Sequence, residues 1–145
     1  MHSRPLQRSD LPELVAMSRE NMSGIILSSW GEEWKDEMLL ELLLDDDVST
    51  TVLLEDGDII AYFCVEEMDE YVFISSFQVC KGWQGRGVGT QMLETIETSS
   101  RENGMAAIEL CVQSTNEKAM EFYYYRGYDL MYQNGNNLVM RKKLV

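Results

Sequence analysis

"VCKGWQGRGVGTQM", Val79 to Met92, places four glycines between residues 82 and 89 and then runs into helix-forming residues with no proline and no loop. A β-branched and aromatic run, "YVFISSFQV", leads into it. Strand, glycines, helix is a layout that leaves the first N–H groups of the helix without intrahelical partners. The helix dipole adds positive character there, so the segment predicts an anion site, phosphate above all. Glycines let the backbone curl into a nest and let a ligand approach with no Cβ in the way. Spacing then separates the kinds of phosphate site. A P-loop needs a lysine ahead of its Ser/Thr, and here Thr90 follows Gly89 directly. A dinucleotide fingerprint needs G-x-G-x-x-G, and Gly85, Gly87 and Gly89 read G-x-G-x-G. A glycine-rich turn that only packs helix on strand is the structural alternative.

Outward from this segment, the hydrophobic pattern predicts the order α-α-β-β-β-α-β-α-β-β. Asp10 with Glu13 marks a helix start; Leu11, Leu14, Val15, Ser18 and Met22 share its inner face, and Gly24 is expected to end it. Trp34, Met38, Glu41 and Leu42 carry a second helical pattern that stops near the Asp45–Asp47 run. "STTVLLE" and "DIIAYFCVEE" read as strands joined by "EDGD", a hairpin turn. After the glycines, a helix is predicted from about Val88 to Asn103, with Val88, Met92, Leu93 and Ile96 inward and Gly104 as its cap. "AAIELCVQ" reads as a buried strand and "TNEKAMEFYYYR" as a helix closed by Gly127. "YDLMYQ" and "NLVMRKKLV" read as a last hairpin around "NGN". This predicts an α/β (α+β) fold, a central mixed and mostly antiparallel sheet flanked by about four helices.

The 145 residues, 45% hydrophobic, suit one domain with a real core. A net charge of -13 disfavours nucleic acid as a partner and favours cationic ones, with plain solubility as the other reading. No apolar run is long enough for a membrane span and the start lacks a signal-peptide core, so a cytoplasmic location is expected. Cys64, Cys80 and Cys111 form no C-x-x-C pair and are expected to be buried thiols, with no metal site. His2 is the only histidine, so Ser-His and Cys-His catalysis are disfavoured, and proton transfer falls to Tyr, Glu, Asp, Lys, Cys or water.

Gln84-Gly85-Arg86-Gly87-Val88-Gly89 resembles the Q/R-x-x-G-x-G/A signature of the GNAT N-acetyltransferase superfamily, with Val79 five residues ahead, where that family commonly has valine. Asn116, Ala119, Phe122, Tyr123, Gly127 and Tyr128 resemble its N-x-x-A-x-x-[LF]-Y-x-x-x-G-[FY], closest to the ribosomal-protein alanine acetyltransferase branch. The resemblance is clear over 50–145 and weak over 1–49. It implies a single acetyltransferase domain over 1–145, with acceptor-side helices in 1–49 and an acetyl-CoA-binding core in 50–145. Phe77, Val79, Gln84, Gly85, Arg86, Gly87, Val88, Gly89, Thr90, Asn116 and Tyr123 would bind acetyl-CoA as co-substrate. Arg86 would add charge to a phosphate or simply be solvated. The Val79 N–H would polarise the acetyl carbonyl.

The chemistry needs a proton for the leaving thiolate and a neutral amine. By resemblance Tyr123 is the general acid; without it, a core aromatic is the simpler reading, and Tyr124 and Tyr125 are the nearest alternatives. The general base departs from the family pattern: the two positions where members carry glutamate are Phe73 and Cys111 here. Glu109 shares a strand face with Cys111 and is a candidate base, or a structural ion pair; Ser75 shares a face with Phe73 and is placed to hold a water. An acyl-cysteine at Cys111 is a further option. Trp30, Glu33 and Trp34 lie where the family covers its acceptor, and aromatics with carboxylates suit an ammonium, or else anchor a loop. The expected activity is acetyl transfer from acetyl-CoA to a primary amine, on a small molecule or a protein N-terminus, by a monomer or homodimer. The alternative is an acyl-CoA-binding module without catalysis.

Overall fold

The computed structural model describes residues 1–145. Its elements are β1 (His2–Pro5), α1 (Leu11–Trp30), α2 (Asp36–Leu43), β2 (Ser49–Glu55), β3 (Asp58–Glu67), β4 (Tyr71–Val79), α3 (Val88–Glu102), β5 (Ala107–Gln113), α4 (Glu117–Tyr124), β6 (Asp129–Asn134) and β7 (Asn137–Lys143). The seven strands form one sheet in the order β1-β2-β3-β4-β5-β7-β6. Every neighbouring pair is antiparallel except β4 with β5. The predicted α+β class and its mixed, mostly antiparallel sheet with four helices are what the chain adopts.

Alternation along the strands builds two cores, one per face. Val52, Leu54, Tyr62 and Cys64 meet Leu11, Leu14, Val15 and Leu39 of α1 and α2. Leu53, Phe63, Ile74, Ile108 and Leu110 meet Met92, Leu93 and Ile96 of α3 and Tyr123 of α4. A bulge at Leu53/Leu54 breaks the alternation, so adjacent Ile60 and Ala61 both join the second core.

Two expectations are corrected. Strand β1 precedes the helices: the polar "HSRP" pairs with β2 through His2↔Leu54 to Pro5↔Thr51. Proline is tolerated there because β1 is a sheet edge, and no hydrophobic alternation announces the strand. Gly24 does not end α1. The helix runs on to Trp30 and stops at Gly31, whose φ of 69° is the left-handed conformation that closes a helix.

The feature that makes a site is the parting of β4 from β5. They pair only from Tyr71↔Ala107 to Ile74↔Leu110. In the β3–β4 ladder the register shifts so that Val65 faces Ile74 and Cys64 faces Ser76, which leaves Ser75 as the extra residue. Such a bulge bends and twists its strand. From Ser75 onward β4 diverges from β5, and a wedge opens in the middle of the sheet. Helix α1 crosses it: Asn21 donates to the Val79 carbonyl at 2.8 Å, and Ser29 hydrogen-bonds Thr115 at 2.5 Å beyond the end of β5.

Candidate active site

The wedge is a cleft of about 950 Å3, walled by α1 and α2 on one side and by the glycine turn and α4 on the other. That volume lies within the range of small-molecule and cofactor sites.

At one end, the chain leaves β4 through a short helical turn at Lys81–Trp83 and enters α3 through Gly85 and Gly87, with φ of 77° and 84°. A Cβ is strained in that conformation, so both positions require glycine. Gly87 caps α3 without any side-chain hydrogen bond, and no acidic residue sits in the first turn. Gly85, Gly87, Gly89 and Thr90 line the cleft, so the bare N-terminus of α3 faces it. Gly89 serves a different need: a Cβ there would lie 3.1 Å from the Phe122 ring of α4. It lets α4 come down beside α3.

The β4 wall presents Ser75, Phe77 and Val79 to the cleft. The Cys80 N–H donates to the Ile60 carbonyl at 2.9 Å. Antiparallel alternation therefore turns the N–H and C=O of Val79 away from β3, toward the parted side. The Val79 carbonyl accepts from Asn21 at 2.8 Å and from Gln84 at 3.0 Å. The Gln84 side chain thus buttresses the end of β4. Ser75 donates weakly to the Cys64 carbonyl at 3.4 Å.

On α4, the Asn116 side chain accepts from the Ala119 N–H at 3.2 Å and caps the helix, while also lining the cleft. Tyr123 is 7% exposed and packs edge-on against Phe77, Phe122 and Tyr128, with ring centroids 5.9, 5.2 and 5.7 Å away. Its hydroxyl makes no hydrogen bond within the protein, yet it is not sealed in the core; it opens on the cleft. Burial pushes the phenol well above its ordinary value, so it is a permanent donor. Tyr124 and Tyr125 turn outward and stack on each other, 62% and 78% exposed.

Three residues expected at the site lie off the cleft wall. The Val88 side chain is buried in the core, so only its backbone faces the turn. Arg86 is exposed and lies 4.8 Å from the centroid of the Trp83 ring, itself a lining residue, without reaching the cleft wall. Glu109 sits opposite Phe73 in the part where β4 and β5 still pair, and its carboxylate accepts from Arg141 at 2.5 Å. Its geometry is that of a structural ion pair. Cys111, two residues on, does line the cleft and is exposed, not buried as expected; burial of part of its environment, then Glu109, raises its thiol, which disfavours a thiolate nucleophile. Cys64 is buried and Cys80 half-buried, and all three cysteines are free.

The opposite wall carries Trp30, Glu33 and Trp34. The Trp34 indole donates to Asp36 at 2.7 Å, and Asp36 is held by Arg19 at 2.7 Å. Arg19 first, then Trp34, lowers the Asp36 carboxyl below its usual range. Trp34 is thus both a loop anchor and a cleft wall. No group of three or more His, Cys, Asp or Glu side chains is gathered to hold a metal, and no helix is long and apolar enough to cross a membrane.

One cleft residue had no signal in the sequence. Arg126, just after α4, donates through Nε and Nη2 to the Thr90 hydroxyl at 3.1 and 2.7 Å and through Nη1 to the Phe122 carbonyl at 2.9 Å. Only the meeting of α3 with α4 brings Arg126 to Thr90.

Comparison with known proteins agrees with this geometry. The Acetyltransferase (GNAT) family matches residues 13–128. An uncharacterized N-acetyltransferase in the pepI 3′ region of Lactobacillus delbrueckii subsp. lactis is 27% identical over 139 residues, covering 84% of this chain and 80% of its own. The PaiA N-acetyltransferase of Thermoplasma acidophilum, in complex with coenzyme A, superposes with a TM-score of 0.84 at 19% identity over 98% of both chains. The ribosomal-protein-S18-alanine N-acetyltransferase of Escherichia coli gives 0.73 at 17% identity, over 99% of this chain and 93% of its own. An acetyltransferase of Thermus thermophilus gives 0.78 at 20% identity, over 98% and 96%. With the family match spanning most of its length, the chain is a member of the GNAT family of N-acetyltransferases.

Proposed function

We propose that the protein moves an acetyl group from acetyl-CoA directly to a primary amine, on a small molecule or a protein N-terminus. The observation that carries this is the Tyr123 hydroxyl: a nine-tenths buried phenol with no protein partner, opening on a cleft whose far end is an uncapped helix N-terminus. The relative that holds coenzyme A in the same fold supports the donor.

The residues present fit such a donor. Backbone N–H groups from Gln84 to Thr90 would hold its pyrophosphate, with Asn116 along the pantetheine arm. The Val79 N–H would donate to the acetyl oxygen, and a fixed donor of this kind stabilises charge growing on that oxygen. Tyr123 would protonate the departing thiolate. In water a phenol near ~10 giving its proton to a thiolate near ~8.5 runs uphill by about 2 kcal/mol. Burial raises both partners, as it raises the Cys64 thiol in this protein to about 11. The phenol therefore donates a hydrogen bond while charge develops on sulfur, passes its proton as the C–S bond breaks, and regains one from water.

The acceptor would enter between α1 and α2, within 1–49, with its ammonium against Trp30, Trp34 and Glu33. With Glu109 tied to Arg141, we assign the amine's proton to a water beside Ser75, where the strands begin to part. The test is a screen of free amines and peptides of varied first residue with acetyl-CoA, read as CoA release. Binding of CoA with no transfer to any acceptor at any pH would defeat the reading.

A further inference from the structure

In a protein of charge -13, a half-buried cation normally sits on a carboxylate, because a charge leaving water needs a partner. Four arginine and lysine side chains are half-buried: Arg4, Arg126, Arg141 and Lys142. Three of them hold a carboxylate: Arg4 with Asp10 at 2.7 Å, Arg141 with Glu109 at 2.5 Å and Lys142 with Glu97 at 2.8 Å. Arg126 holds none. Its guanidinium carbon lies 3.8 Å from the centroid of Phe122, and its three protein hydrogen bonds go to neutral oxygens, on Thr90 and Phe122.

A guanidinium has five N–H donors, so two remain after these three bonds. Arg126 lines the cleft, and its anchor, Thr90, belongs to the first turn of α3, whose N-terminus has no side-chain cap. Stacking and hydrogen bonding hold the fork still, so little entropy remains to be lost on binding. Positive charge, free donors and a bare helix end converge at one place, and no acidic group of the protein answers them.

We propose that Arg126 is a phosphate-binding residue for the nucleotide end of the donor, taking a phosphate of coenzyme A in its fork beside the α3 N-terminus. This rests on the acyl-CoA reading above. It moves the cationic role from Arg86, which is exposed and not part of the cleft wall, to a half-buried lining residue 40 positions further along the chain. It also makes the nucleotide end a specificity element, so that a donor ending at phosphopantetheine is bound less well.

The test is calorimetric binding of CoA, dephospho-CoA and 4′-phosphopantetheine to the whole protein and to Arg126→Gln, Arg126→Lys and Arg101→Gln. Arg101 is exposed on α3 and controls for net charge. Arg126→Gln is expected to weaken CoA about tenfold to a hundredfold. Arg126→Lys keeps charge without the fork and should recover only part of that loss, and it serves if the glutamine protein does not fold. Arg101→Gln should stay within about twofold of wild type, since an exposed charge is screened by solvent and salt. A loss for CoA that is absent with dephospho-CoA places the fork on the 3′-phosphate, and an equal loss for both places it on the pyrophosphate. Either supports the proposal. CoA binding by Arg126→Gln within about twofold of wild type, at unchanged melting temperature, overturns it while the donor reading stands. A wild-type protein that binds no CoA overturns both.

Discussion

Tyr123→Phe removes one oxygen from the cleft and little else. The ring keeps its edge contacts to Phe77, Phe122 and Tyr128, and the hydroxyl has no internal hydrogen bond to lose. The stability change should stay below about 1 kcal/mol, a shift of about 2–4 °C at this chain length. Loss of a positioned acid lowers kcat by about 10²–10⁴, or roughly 3–5 kcal/mol of barrier. The assay is thiol release at saturating amine, with calorimetry for CoA in parallel. The expected pattern is a large fall in kcat with CoA affinity within about threefold, since an interaction made mainly in the transition state lowers kcat and not binding. The pH profile sharpens the test. Burial raises the Tyr123 phenol, so it keeps its proton beyond its ordinary value of ~10. Rate should climb as the free amine fraction grows, with no alkaline fall from Tyr123 below about pH 10, and the variant should trace the same shape far lower. A Tyr123→Phe protein of unchanged kcat would refute the assignment, and so would one whose loss lies wholly in CoA affinity.

Three further outcomes follow from neighbouring geometry. Gly89→Ala puts a Cβ at 3.1 and 3.3 Å from the Phe122 ring on which Arg126 stacks, so the ring must give by a few tenths of an ångström and carry the guanidinium with it; a cost of about 1–3 kcal/mol in chemical denaturation and weaker CoA binding are expected. Lys142→Met leaves the Glu97 carboxylate, 7% exposed, with only the Tyr128 hydroxyl at 3.1 Å; about 2–4 kcal/mol should be lost, read as a fall of roughly 5–15 °C in melting temperature. Tyr62, pushed up to about 12, and Tyr123 and Tyr128, raised further, stay protonated in the folded state while unfolded tyrosines ionise near ~10. The unfolded state then binds fewer protons, so stability is full below about pH 10 and falls as pH rises past it; melting temperatures should fall less between about pH 9 and 11 in Tyr123→Phe than in wild type.

The glycine turn at the end of the cleft was legible because its geometry is local: Gly85 and Gly87 need positive φ, and Gly89 needs room, within one short stretch. The hairpin at "EDGD" and the Gly104 and Gly127 helix ends were legible for the same reason, all three glycines of those turns having positive φ. What sequence missed is long-range. Glu109 and Cys111 do point to one face, as period two requires, but nothing in their spacing says that β4 leaves β5 after Leu110. One residue falls on the paired side and the other on the open side. Gly24 looked like a stop, yet Ile26 and Ser29 continue the buried stripe beyond it, and only Gly31 takes the left-handed turn. Arg126 meets Thr90 across 36 positions, a distance no local pattern spans.

The parted strands have a mechanical consequence. Within the sheet, only four register pairs join β1–β4 to the β5–β7–β6 group, with α1 spanning the gap above and the core under α3 shared below. An arm lying in the wedge and bonding both margins would replace the missing rungs of the ladder, so the donor would serve as a removable strut in the framework. Such a domain is stiffest when loaded and most deformable just after product leaves. At a hundredfold excess over its Kd the donor adds about 2.7 kcal/mol to stability. The slowing of amide exchange it brings should concentrate at Ser75–Val79 and Cys111–Gln113, far from either edge of the sheet.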